Sequence, residues 1–197
     1  TQMDMLLADN LAQDVQLDLV LAAEASDDGK VIQKLQTYQA EKDRTDSVSV
    51  YMESLYGGSE NNGRRIFYQN AAAQCIRCHA VGGDGTNVGP DLAGIGNKVT
   101  RHQLLESLVA PNARIAPGYG SVKLTLSDGS TVRGMLSAES DSDITVVGND
   151  GEQVISKSDI ESRRNSPSGM FAMGSVLSRD EIRDLVEFLS TLDGSED

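Results

Sequence analysis

The sequence predicts an α+β fold: a helical domain with a small antiparallel β insertion, preceded by an N-terminal helical segment. Three observations carry that expectation. Apolar residues recur at helical spacing through the first half of the chain and again at its C-terminus. Between Tyr119 and about Arg164 the period changes to strict alternation. Helix-start signals, Ser or Thr followed three residues later by Glu or Gln, stand at the edges of the helical stretches. The resulting division is 1–56, an N-terminal helical segment; 57–118, the first part of the helical domain; 119–165, the β-rich insertion; and 166–193, the returning helical part.

In chain order, Leu11, Val15 and Leu19 share one helical face, as do Val31, Leu35 and Tyr38, with Ser26-Asp27-Asp28-Gly29 breaking the two. Short helices of this kind do not bury a core alone, so they pack on the next domain or end a helical repeat region. Gly57-Gly58 closes the segment, and Ser59 caps a helix through Gly63, Ile66 and Phe67. A glycine-rich loop, Gly82-Gly83-Asp84-Gly85, precedes Val88-Gly89-Pro90-Asp91-Leu92. Thr100 and Gln103 then form a capping box for a helix carrying Leu104, Leu105, Leu108 and Val109 on one side, ended by Pro111.

In the insertion, Val122, Leu124 and Leu126 alternate with polar residues before the turn Asp128-Gly129. Val132 and Met135-Leu136 follow, with Gly134 read as a bulge or bend and Met135 as core filling. Ile144, Val146, the turn Asn149-Asp150-Gly151 and Val154-Ile155 make a second hairpin, for four or five strands in all. Ser178 and Glu181 open the last helix, whose stripe is Ile182, Leu185, Val186, Leu189 and Leu192. Met3, Met5 and Met52 read as helix-packing residues.

The chemistry concentrates in Cys75-Ile76-Arg77-Cys78-His79. C-x-x-C-H is the attachment signature of covalently bound haem: each thiol adds across one vinyl group, and the adjacent imidazole becomes the proximal iron ligand. The chain has two cysteines and two histidines, and this pentapeptide uses both cysteines and one histidine. Structural zinc asks for four ligands, and only His102 remains, two residues into a capped helix where solvent is its natural surrounding. A thioredoxin-like dithiol asks for a helix start beside a strand, whereas the preceding segment reads as a helix. A simple disulfide or idle thiols are the remaining alternative. Ser168-Gly169-Met170-Phe171-Ala172-Met173-Gly174, just before the last helix, is where a second iron ligand is expected.

Seventeen basic and 30 acidic residues give a formal charge of −13. That balance disfavours nucleic acid and anionic membranes, whose binding needs Lys and Arg, and suits a positively charged protein partner or simple solubility. No apolar run approaches the roughly 18 residues of a membrane span, and the acidic start lacks the features of a signal peptide. Covalent haem attachment takes place outside the bacterial cytoplasmic membrane. The expectation is therefore a periplasmic or otherwise exported protein, mature or cut from a longer chain.

Together these features resemble class I cytochromes c. Gly63 and Phe67 match the family's helix before C-x-x-C-H, and Phe188 matches the aromatic residue of the last helix that it crosses. Gly89-Pro90-Asp91-Leu92 is similar to G-P-x-L, which implies that the Pro90 carbonyl accepts a hydrogen bond from His79. Met170 to Gly174, followed by Leu177-Ser178, aligns with M-P-x-[FM]-G and L-S, which implies Met170 as distal ligand and Met173 as a packing residue. Phe171 departs from the family's proline.

From about Gly57 to Leu192 the chain also resembles the Pirellula/Verrucomicrobium-type haem-binding domain. The shared features are C-x-R-C-H, V-G-P-D-L, Leu104-Leu105-Glu106-Ser107 and a β-rich insertion. The implied cofactor is one haem c held by Cys75 and Cys78, with His79 and Met170 as axial ligands and Pro90 supporting His79. The implied activity is single-electron transfer for an exported dehydrogenase, fused or associated, by an electron carrier rather than an enzyme. The Phe-for-Pro change keeps open an alternative, a ligand-binding or peroxidase-like haem with an open distal site. The insertion is similar to Sm-like small barrels. Residues 121 to 164 hold no aromatic residue for base stacking, so the insertion reads as a structural or partner-docking module.

Overall fold

The computed structural model describes residues 1–149 and 151–195; Asp150 of the turn signal Asn149-Asp150-Gly151 lies outside the described residues. The chain divides into two compact units, a helical one (Thr1–Ala110 with Ala172–Asp197) and a sheet unit (Pro111–Phe171). The helices are α1 (Gln2–Leu7), α2 (Gln16–Glu24), α3 (Gly29–Ala40), α4 (Glu60–Gln69), α5 (Ile95–Lys98), α6 (Arg101–Val109) and α7 (Arg179–Thr191). The strands are β1 (Ala80–Val81), β2 (Asp84–Gly85), β3 (Ser121–Leu126), β4 (Thr131–Glu139), β5 (Asp143–Gly148), β6 (Gly151–Ser156) and β7 (Ile160–Asn165). The architecture is mixed α+β.

In the helical unit, α1, α2 and α3 enclose Met3, Leu6, Val20, Ala23 and Leu35, with Val31 and Tyr38 packed against them. Leu11 and Leu19 also pack against this cluster, but the single helical face expected of Leu11, Val15 and Leu19 does not form. Asp9 in the left-handed region (φ 53°) ends α1, and the chain re-enters helix only after a 3₁₀ turn at Gln13–Val15. The inward face of α2 is instead Leu17, Val20 and Ala23, and Val15 is exposed.

A 3₁₀ segment, Ser49–Leu55, follows, with Glu53 and Ser54 buried. The Glu53 carboxylate accepts from the Tyr38 hydroxyl and pairs with Lys42. Burial and the adjacent carboxylate push the Tyr38 phenol above its ordinary range. The Ser54 hydroxyl donates to the Arg179 carbonyl (2.9 Å) at the start of α7.

α4 crosses α7 at bare backbone. A Cβ at Gly63 would come within 2.7 Å of Phe188 Cβ and collide with the Asp184 carbonyl oxygen. Phe67 then packs on Phe188 with ring centroids 5.7 Å apart. The three caps read from the sequence are present. Ser59 Oγ accepts from Asn62 N–H, Thr100 and Gln103 close a capping box, and Ser178 N–H and Oγ–H both donate to Glu181. α6 buries Leu104, Leu105, Leu108 and Val109. Its Arg101 grips Glu187 of α7 through two bonds of 2.8 and 2.9 Å.

The sheet unit is five-stranded and antiparallel, in the order β6-β5-β4-β3-β7, so the last strand returns beside the first. Alternation places Val122, Leu124, Leu136, Ile144, Val146 and Ile155 on one buried face. Gly134 is not a bulge: it stands in regular register opposite Val122, and a Cβ there would be 2.6 Å from the Val147 carbonyl carbon. The irregularity falls later, between Leu136 and Ala138. Met135 faces outward opposite Val147 and is exposed, because register gives the core position to Leu136. Met5 and Met52 are exposed as well, while Met3 is buried.

Candidate functional site

After α4 the chain must reverse tightly. The Asn70 side chain accepts from the Ala72 and Ala73 N–H groups (2.9 and 3.0 Å). Gln74 then takes a left-handed conformation (φ 50°), unusual for a residue with a side chain. A 3₁₀ turn, Cys75–Arg77, follows, and His79 N–H donates to the Cys75 carbonyl (2.9 Å). Cys75, Cys78 and His79 thus share about one turn of chain. Cys78 is exposed and Cys75 half-buried, both as free thiols. Burial pushes the Cys75 thiol up to about 11. Redox-active dithiols are poised by a lowered pKa, and the shift at Cys75 runs the other way.

The His79 ring is fixed by the loop that returns past it. Its Nδ1 lies 2.8 Å from the Pro90 carbonyl oxygen. A carbonyl only accepts, so Nδ1 carries the proton and Nε2 presents a lone pair. A Cβ at Gly89 would sit 2.7 Å from His79 Cε1, so only glycine lets the backbone lie against the imidazole. Backbone bonds hold this return: Gly89 N–H to the Cys78 carbonyl (2.6 Å) and Leu92 N–H to the Ala80 carbonyl (2.8 Å). The Thr86 hydroxyl adds a bond to the Arg77 carbonyl (2.6 Å). Among the described residues no polar atom bonds Nε2, and Val88, next in chain to Gly89, is 73% exposed.

Cys75, Cys78, His79 and Pro90 therefore lie together in the helical unit. Met170 belongs to the sheet unit and is half-buried, its N–H donating to Ser168 Oγ (3.1 Å). Ser168 N–H in turn donates to the Asn112 side chain (2.7 Å). Met173 lies in the helical unit and is buried. His102 is exposed near the start of α6. Sequence reading did not single out Tyr51, whose hydroxyl donates to the Gly174 carbonyl (3.3 Å) from 123 residues away. No local signal marks such a pair.

Residues 61–127 match the model of the family described as cytochrome c. The chain carries a cytochrome c domain. The match takes in the C-x-x-C-H turn, the Gly89-Pro90 return, α6 and β3, and stops before Met170 and α7. A comparison with curated proteins finds no match. A cytochrome c domain implies covalently bound haem c, haem-based electron transfer and a redox partner.

The residues present fit that group. Two thiols and one imidazole share a turn, the imidazole tautomer leaves Nε2 with a lone pair to offer a metal, and glycine clears the ring's flank. Among the described residues, no helix is long and apolar enough to cross a membrane.

Proposed function

We propose that the cytochrome c domain holds one haem through thioethers to Cys75 and Cys78, with His79 and Met170 as axial ligands, and carries single electrons. The observation that carries this reading is the Nδ1 bond of His79 to Pro90 (2.8 Å), which leaves Nε2 as a lone-pair donor on the turn of chain that carries both cysteines. When bound, the haem supplies a one-electron ferric/ferrous couple. The protein's part is to set its poise. The Pro90 carbonyl fixes the ring of His79 and raises its basicity as a ligand. The Met170 thioether favours ferrous iron and so raises the potential. The assignment of Met170 rests on its register against Gly174 and Leu177-Ser178.

The finer readings extend from the same motifs. C-x-R-C-H, V-G-P-D-L and L-L-E-S support a domain of the Pirellula/Verrucomicrobium type, exported and serving a fused or associated dehydrogenase. Residues 57–118 and 166–193 are assigned to the haem fold, 1–56 to the end of a helical repeat region. Residues 119–165 are assigned to an inserted small barrel; the return of β7 beside β3 supports that last assignment.

Two measurements test the proposal on protein made with a haem-attachment system. The denatured chain should keep its haem and exceed the polypeptide mass by one haem; a bare mass would sink covalent attachment. In the ferric protein, Met170→Ala should abolish the sulfur-to-iron charge-transfer band and lower the midpoint potential, while Met173→Ala keeps the band. The reverse pattern would move the ligand to Met173, and high-spin features in the unmutated protein would point to an open distal site.

A further inference from the structure

Three successive peptide planes of the attachment turn are held from the loop that returns past it. The Arg77 carbonyl accepts from the Thr86 hydroxyl (2.6 Å), the Cys78 carbonyl from Gly89 N–H (2.6 Å) and the His79 carbonyl from Thr86 N–H (3.4 Å). The next carbonyl, that of Ala80, accepts from Leu92 N–H (2.8 Å). Fixing the peptide planes on both sides of a residue fixes its φ and ψ, so these bonds set the backbone of Cys78 and His79. Thr86 holds two of the three planes and straddles Cys78. Its close approach depends on Gly85, which has φ 120° and where a Cβ would collide with the His79 carbonyl oxygen. Three of the four bonds come from backbone N–H groups, and the Thr86 hydroxyl is the one side-chain donor. The N–H bond of Thr86 is long, so the short hydroxyl bond is the firmer anchor.

We infer that Thr86 is a positioning residue for His79: its hydroxyl pins the Arg77 carbonyl and so holds the return loop, Pro90 included, against the attachment turn. This rests on the proposed attachment of haem at Cys75 and Cys78 with His79 as axial ligand. Thr86 stands outside both motifs that mark the site, C-x-x-C-H and Val88 to Leu92, and acts through backbone carbonyls rather than on the imidazole itself. Without the hydroxyl, turn and return loop part more often, and the Nδ1 bond of His79 to Pro90 (2.8 Å) is broken for more of the time. An imidazole without that acceptor is a less basic ligand. It favours ferric iron less, so the midpoint potential rises. One ordinary hydrogen bond corresponds to roughly a two- to tenfold change in such an opening equilibrium.

The test uses the full holoprotein, made with a haem-attachment system, and two readouts. One is solvent exchange of the His79 Nδ1 proton, followed by NMR in the ferrous state; the other is the midpoint potential. Thr86→Val keeps the size of the side chain and removes its donor, and because Thr86 is exposed no core packing is lost. Exchange should quicken roughly two- to tenfold, and the potential should rise. Thr86→Ala should do the same, whereas Thr86→Ser, which keeps the hydroxyl, should restore both values. Thr100→Ala removes the cap of α6 and serves as the structural control: it should lower Tm and leave exchange and potential at the parent's values. Unchanged exchange and potential in both Thr86→Val and Thr86→Ala, no recovery in Thr86→Ser, or an equal change in Thr100→Ala overturns the inference. The denatured mass of the unmutated chain checks the reading beneath it. A bare polypeptide mass sinks that reading and the inference with it. A mass heavier by one haem, together with unchanged exchange in the Thr86 variants, sinks the inference alone.

Discussion

In the helical unit the decisive contact is backbone on backbone: α4 meets α7 at Gly63, where no Cβ fits against Asp184 and Phe188. In the sheet unit it is side chain on side chain, six aliphatic residues from four strands closing one face. The first arrangement leaves long stretches of non-repetitive chain free to shape chemistry, and the whole Cys75–Leu92 return is built there. The second uses nearly every residue in ladder or turn, and brings no comparable cluster of thiol and imidazole. Charge divides similarly. The helical unit holds 22 acidic and 11 basic residues, the sheet unit eight and six, so almost all of the −13 lies with the unit that carries the Cys75–His79 turn. The negative field of the chain therefore arises mainly from the helical unit.

Breaking the helical contact should have the largest effect. Gly63→Val places branched carbons where the Asp184 carbonyl and Phe188 already lie. Neither backbone can yield without separating Phe67 from Phe188. The expected cost is more than about 4 kcal/mol, the range reserved for severe core overpacking. Thermal unfolding followed by circular dichroism checks it; a Tm within a few degrees of the parent would mean that α4 and α7 do not meet at this glycine.

The matching change in the sheet unit is Leu136→Ala. Leu136 is fully buried, opposite Val146, and its truncation should cost about 2–5 kcal/mol. The informative readout is which unit responds. If the units are separate cores, amide exchange should quicken across β3 to β7 while the Phe67–Phe188 contact stays protected. Equal loosening of both would show a single cooperative core.

The parts legible in the sequence were those decided within a few residues. Ser59, Thr100 and Ser178 cap their helices because a cap needs only its own first turn. Strand alternation placed Val122, Leu124, Ile144 and Val146 correctly for the same reason. Where the outcome depended on a distant partner, reading failed. Gly134 reads from sequence as a bulge or bend, but a bulge is a property of two strands, and pairing with β5 places it between Leu136 and Ala138. Leu11, Val15 and Leu19 keep helical spacing across a break: Leu11 precedes the extended Ala12, Val15 ends a 3₁₀ turn, and of the three only Leu19 lies within α2. At the site, His79 and Pro90 were read as partners through family resemblance. The Tyr51–Gly174 bond spans 123 residues and carried no signal at all.

A smaller effect concerns acid stability. Glu139 is partly buried, which by itself would raise its pKa, but bonds from Lys157 and Arg163 (each 2.9 Å) outweigh that and hold the carboxyl below its ordinary value. A depressed folded pKa contributes stability that is present above the unfolded carboxylate pKa and is lost as pH falls through the folded one. Glu139→Gln should thus cost about 0.5–1 kcal/mol at neutral pH, allowing for solvent screening, and nothing once the parent carboxyl is protonated. Urea midpoints measured from neutral to acid pH should converge. Parallel curves would mean that the pair contributes no linkage.

The smallest effect is a gain, and it tests whether the sheet unit's charges are arranged for its own stability. Arg133, Lys123 and Arg164 stand directly opposite one another on β4, β3 and β7, all exposed on the outer face. None has an ion pair among the described residues. Like charges opposite one another in a sheet repel, and an opposite pair is worth about 0.2–1 kcal/mol. Lys123→Glu converts two repulsions into two attractions at the centre of the row, so stability of the sheet unit should rise by about that amount. Because the row is solvent-exposed, the gain should shrink as salt is added, with the Debye length falling to about 3 Å at 1 M. The helical unit, whose Arg101–Glu187 pair is already bidentate and partly buried, offers no such gain from a single charge reversal at Arg101. A Lys123→Glu variant that is destabilised at low salt would show that β4, β3 and β7 are not in this register on their outer face.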